Sequence, residues 1–142
     1  VEKNRMRFLI VDDDESVILF LRTILSAYAE CLTACNGEEA LTAFEAAWED
    51  KRPFTAVFMD ILMPDMNGTQ VVRELRRREA MQGGPTAPFK LIMISVLTDT
   101  KIVSESFFHG RADAYLPKPF TREMVLHELV KLGLTAPEPD AP

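Results

Sequence analysis

Apolar residues along this 142-residue chain follow two alternating rhythms. Short, almost continuous apolar runs occur at 8–11, 31–34, 55–59, 90–94 and 112–116. Runs of that length without polar alternation suit strands covered on both faces. Between them the apolar positions recur three and four residues apart. Val17, Ile18, Leu21, Ile24, Leu25 and Tyr28 predict a first helix over 15–28. Ala40, Leu41, Phe44, Ala47 and Trp48 predict a second, after the turn at Asn36-Gly37. A third spans 69–81 with Val71, Val72 and Leu75 facing inward, and Ile102, Val103 and Phe107 predict a fourth that stops near Gly110. Thr121 is expected to cap a fifth, with Val125, Leu129 and Leu132 as its stripe and Gly133 as its stop.

A strand-then-helix unit repeated five times implies an α/β domain: a parallel sheet with right-handed crossovers and helices on both faces. The Gly/Pro segment at 82–88 reads as a surface loop. Residues 135–142, with three prolines, read as a disordered tail or linker. The domain proper is therefore expected over 5–134. The chain opens on Val1 rather than Met, as an excised fragment would.

Composition narrows the function classes. A net charge of −6 and a pI near 4.9 argue against a nucleic-acid surface, which needs a basic patch. No apolar stretch approaches membrane-spanning length and no signal-peptide pattern opens the chain, so a cytoplasmic location is expected. Cys31 and Cys35, four strand steps or roughly 13 Å apart, cannot bridge within one strand and are expected as small buried or half-buried free thiols. Arg73, Arg76, Arg77 and Arg78 interleave with Glu74 and Glu79 as a solvated helix face would.

The candidate chemistry sits where the apolar runs end. Asp12-Asp13-Asp14 follows the first run and Asp60 follows 55–59. Ser95 follows 90–94, and Lys118 comes just after the last run. In an open parallel sheet the carboxyl ends of the strands converge on one crevice, where such folds bind ligands. An acid cluster, a single acid, a hydroxyl and a lysine meeting there suit phosphoryl transfer to a carboxylate. That reaction needs a nucleophilic acid, a divalent cation and donors around the phosphoryl oxygens. Asp60 would be the nucleophile, and Asp12 and Asp13 a hard oxygen site for Mg²⁺ or Mn²⁺. Ser95 would donate to one phosphoryl oxygen and the Lys118 ammonium would pair with another. Asp14 and Asp65 read as turn formers or helix caps.

The motifs Phe8-Leu9-Ile10-Val11-Asp12-Asp13-Asp14, Met59-Asp60-Ile61-Leu62-Met63-Pro64-Asp65-Met66-Asn67-Gly68, Ile94-Ser95 and Tyr115-Leu116-Pro117-Lys118-Pro119-Phe120 together resemble a response-regulator receiver domain of two-component signalling. The resemblance covers nearly the whole chain. It implies a flavodoxin-like, doubly wound five-stranded parallel sheet in the order 2-1-3-4-5, with five helices. It further implies Asp60 as phosphoacceptor, Asp13 as direct metal ligand, Asp12 assisting through water, and the Leu62 backbone carbonyl as another ligand. Ser95 and Tyr115 would form the switch, the ring turning inward on activation, and Pro119 matches the family's cis-proline position. Implied partners are a histidine kinase or histidine phosphotransfer protein, and an output domain or partner reached through the fourth helix, fifth strand and fifth helix. A phosphorylation-linked homodimer is a further implied assembly. Such a domain hydrolyses its own phosphoryl group, yet its turnover serves signalling rather than metabolism.

Three positions depart from the family pattern. Val96 stands where a small residue is usual, Leu62 and Leu97 where polar groups often hold a water, and Arg111 where a glycine is usual, with Gly110 beside it. Two other readings compete. Val11-Asp12-Asp13-Asp14 contains the Asp-x-Asp of a haloacid-dehalogenase-like phosphohydrolase with Asp12 as nucleophile, and a receiver-like docking module would never be phosphorylated.

Overall fold

The computed structural model describes residues 5–63, 67–82, 88–96 and 112–136. Five strands form one sheet: β1 (Arg7–Val11), β2 (Glu30–Ala34), β3 (Ala56–Asp60), β4 (Lys90–Ser95) and β5 (Ala114–Pro117). All pairings are parallel and the order is β2-β1-β3-β4-β5, as the family resemblance implied. Among the described residues there are four helices: α1 (Glu15–Leu25), α2 (Gly37–Glu49), α3 (Gly68–Met81) and α4 (Arg122–Lys131). The helix expected around 102–107, together with Leu97, Gly110, Arg111, Asp65 and most of the 82–88 loop and the tail, lies outside the described residues. The helix expected over 15–28 ends at Leu25, because Ser26–Tyr28 form a turn whose amides bond back to Arg22 and Leu25.

Strand alternation divides the core into two layers. Phe8, Ile10, Phe58, Ile92, Ile94 and Leu116 pack with α1 and α4 through residues such as Leu21, Leu25, Val125 and Leu129. Leu9, Val11, Val57, Met59, Leu91 and Met93 pack on the other face with α2 and α3. The continuous apolar runs are thus satisfied on both sides, and β3 is buried along its whole length. Each helix start has a side-chain cap: Asp14, Asn36, Asn67 and Thr121 accept amide hydrogens from the first turns of α1 to α4 in that order.

Glu79 departs from the solvated face expected of α3. Its carboxylate is buried, accepts the Phe89 amide at 3.1 Å, and is paired with Arg76 at 3.1 Å. The Arg76 guanidinium lies 3.7 Å above the Phe89 ring. Glu74 and Arg78 do make the expected i,i+4 pair, at 2.9 Å. Both cysteines are free; Cys31 is half-buried as expected, but Cys35 is exposed, because β2 ends at Ala34 and Cys35 lies in the turn that follows.

Candidate functional site

The backbone ladder runs one step past several strands, so the residues at their ends are held rather than loose. Asp12 donates its amide to Ala34 O at 3.1 Å, Ile61 to Ile94 O at 2.9 Å, and Lys118 to Ser95 O at 2.8 Å. Register then sets Asp12 beside Asp60, since Val11 pairs with Met59. Asp60 is 3% exposed, Asp12 fully buried and Ser95 1% exposed, whereas Asp13 reaches solvent. Oxygens of Asp12, Asp13 and Asp60 lie within 4.8 Å of one another. The Lys118 ammonium stands 2.9 Å from Asp12 Oδ2 and 3.6 Å from Asp60 Oδ2. The structure therefore gathers Asp12, Asp13, Asp60, Ser95 and Lys118 at one end of the sheet, and the Lys118–Pro119 peptide is cis.

Two features fix Asp60. Its Oδ1 accepts the Leu62 amide at 3.3 Å. Behind it, α3 begins against the strand end, where Gly68 N donates to Ile61 O at 2.8 Å. A β-carbon on Gly68 would fall 2.2 Å from the Asp60 carbonyl oxygen. Only a residue without a side chain allows that approach.

Charge is concentrated and sparingly hydrated. Burial, followed by the Asp12 carboxylate and more weakly Asp13, pushes the Asp60 acid up from 3.8 to about 7, against the pull of Lys118 and the Leu62 amide. Burial alone would lower the Lys118 ammonium, yet its contact with Asp12 and the charges of Asp60, Asp12 and Asp13 outweigh it, and the net displacement is upward. Tyr115 is half-buried on β5, and its hydroxyl donates to the Ser95 carbonyl at 3.2 Å. The expected switch pair is thus already joined through backbone.

One neighbouring feature escaped the sequence reading. Val17, Phe20, Val96, Pro119 and Phe120 line an apolar groove of about 440 Å³ beside Lys118. Phe20 meets Phe120 with ring centroids 5.7 Å apart, and Val96 is 63% exposed. The available signal was that Leu19 and Phe20 fall off the inward stripe of α1, leaving apolar side chains on its outer face.

A doubly wound parallel sheet with acids, a hydroxyl and a lysine at its strand ends defines a class of ligand-binding α/β domains. Comparison with known proteins narrows it: residues 8–131 match the response regulator receiver domain, and the chain belongs to that family. It is 38% identical over 141 residues to the response regulator MprA of Mycobacterium avium, covering 96% of this chain and 55% of that protein. It is 35% identical over 114 residues to the two-component response regulator ARR10 of Arabidopsis thaliana, covering 80% of this chain and 19% of that protein. The chain thus spans only part of these relatives. Among solved structures, the response regulator TrrA of Thermotoga maritima in complex with Mg²⁺-BeF superposes with a TM-score of 0.70 at 28% identity, covering 89% of this chain and 98% of that one. This is a receiver domain of two-component signalling, and family membership displaces the phosphohydrolase alternative.

Receiver domains bind Mg²⁺ at an acidic pocket, and the residues here fit that ion. Three carboxylates offer hard oxygens at close range, and the Lys118 ammonium, 2.9 Å from the buried Asp12 Oδ2, is a single positive charge against three acids. No described helix is long and apolar enough to cross a membrane.

Proposed function

We propose that Asp60 is the phosphoacceptor, taking a phosphoryl group from the phosphohistidine of a histidine kinase or histidine phosphotransfer protein. The observation that carries this reading is the buried Asp60 carboxylate at the end of β3, with an ammonium at 3.6 Å and two further acids beside it. An Asp60 oxygen attacks phosphorus, the P–O bond forms as the P–N bond breaks, and the departing imidazole nitrogen keeps the electron pair. Asp13, Asp60, the Leu62 backbone carbonyl and, through water, Asp12 would hold Mg²⁺ or Mn²⁺, which supplies neutralisation of the phosphoryl oxygens. Lys118 offers its ammonium to another of those oxygens.

Ser95 is the proposed reporter of the new charge. Its hydroxyl turns to the phosphoryl group, and Tyr115, bonded to the same residue's carbonyl, responds. The surface so altered comprises β5, α4 and the segment around 102–107, where an output domain, a partner or a second phosphorylated copy would bind. The groove of Phe20, Val96 and Phe120 beside Lys118 is where the donor approaches, because its histidine must come within bonding distance of Asp60. We assign 5–134 to the receiver unit and 135–142 to a linker, place the domain in the cytoplasm with its kinase, and expect slow self-catalysed hydrolysis of the phospho-form. The intact acid, hydroxyl and lysine set argues against an unphosphorylated docking module.

Incubation with acetyl phosphate and Mg²⁺, followed by intact mass measurement, is expected to add one phosphoryl group, and Asp60→Asn to abolish the addition. Full-yield modification of Asp60→Asn, or a wild-type rate in excess chelator, would overturn the assignment.

A further inference from the structure

We infer that Asp14, beyond capping α1, is a positioning residue for the Asp12 carboxylate and through it for divalent cation binding. The inference rests on the reading of Asp12, Asp13 and Asp60 as a cation site. Asp12 is fully buried, and its two oxygens have different holders. Oδ2 faces the Lys118 ammonium at 2.9 Å, while Oδ1 accepts the Asp14 amide at 2.9 Å.

The direction of that amide depends on the conformation of Asp14, φ −96° and ψ 109°, the extended geometry of an N-cap. Contacts on the opposite side hold that conformation. The Asp14 side-chain Oδ1 accepts the Ser16 amide at 2.9 Å and the Ser16 hydroxyl at 2.7 Å. The Asp14 carbonyl accepts the amides of Val17 and Ile18, each at 3.1 Å. One residue therefore faces two ways, its side chain and carbonyl toward α1 and its amide toward the metal-binding acid.

Removing the side chain uncaps the first turn and frees the Asp14 backbone to rotate. Asp12 then keeps only Lys118, and its carboxylate is free to turn fully onto the ammonium, away from the geometry a cation requires. Groups that orient metal ligands in this way commonly govern affinity although they never touch the ion.

The test is Mn²⁺ titration, with free Mn²⁺ read by electron paramagnetic resonance, alongside thermal unfolding of the metal-free proteins. The variants are Asp14→Ala, Asp14→Asn, Ser16→Ala and Asn36→Ala. Asn36 is the matched control: it caps α2, which follows the edge strand β2, and β2 supplies none of the clustered acids. Asp14→Ala and Asn36→Ala are expected to lower Tm comparably, while only Asp14→Ala weakens Mn²⁺ binding, by about tenfold. Asp14→Asn, an equally good cap without the charge, is expected to restore most of the affinity. Ser16→Ala, which removes one of the two donors to the cap, is expected to weaken binding less. Unchanged Mn²⁺ affinity in Asp14→Ala would make Asp14 a cap and nothing more. Asp14→Asn as weak as Asp14→Ala would assign the effect to charge and overturn the positioning role. Failure of the wild type to bind Mn²⁺ would instead remove the cation site itself, and the inference with it.

Discussion

Replacing Asp60 by Asn is expected to stabilise the metal-free protein, and increasingly so as the pH rises. Burial and the neighbouring Asp12 carboxylate hold the Asp60 acid at about 7 rather than 3.8. Between those values the folded chain keeps a proton that the unfolded chain has already released. The resulting stabilisation is complete below the lower pKa and is lost as pH rises through the upper one. A displacement of about three units sets an upper limit on the order of 4 kcal/mol, at roughly 1.4 kcal/mol per unit. Coupling to Lys118 and partial hydration reduce this, so about 2 kcal/mol is expected to disappear from the wild type between roughly pH 4 and pH 7.5. Asn presents a similar shape and cannot ionise. The assay is urea unfolding in EDTA across that range, with wild type and Asp60→Asn compared at each pH so that uncoupled groups cancel. The variant should match the wild type at the acid end and exceed it at the alkaline end. Mg²⁺ added at the alkaline end should narrow the gap by binding the folded wild type. A difference that stays flat across the range would refute the account of Asp60 as a buried acid destabilised by its neighbours.

Two other outcomes follow from the same geometry. Gly68→Ala is expected to cost about 2 kcal/mol in denaturant unfolding, because its β-carbon must displace backbone rather than a flexible side chain, and that strain exceeds the gain in helix propensity. Val96→Ala and Leu62→Asn are each expected to shorten the lifetime of the phospho-form, measured as phosphate release under matched Mg²⁺, since bulk beside the site falls in one and a water-holding group appears in the other.

Much of this architecture could be read before any coordinates. The inner strands β1, β3 and β4 announced themselves because both of their faces are buried, so their boundaries moved by only one or two residues: 55–59 became Ala56–Asp60, and 90–94 became Lys90–Ser95. The convergence of Asp12, Asp60, Ser95 and Lys118 followed from the parallel topology, which sends every strand's carboxyl end the same way. The burial of Glu79 was not legible because its partner, the Phe89 amide, lies ten residues further along the chain, and helical charge spacing carries no trace of it. The two-sided role of Asp14 was half visible. An acid before a helix suggests a cap, but its amide reaching back to Asp12 depends on backbone angles that composition does not encode.

The clearance at Gly68 also bears on how this site could be moved. The Asp60 backbone and the start of α3 share a boundary too close to admit even one methyl group. An engineer grafting the acid crevice into another parallel sheet would therefore have to carry the strand end and the helix start as one cassette. Copying the acids, the hydroxyl and the lysine alone would leave the strand end that carries Asp60 without the helix start packed against its backbone.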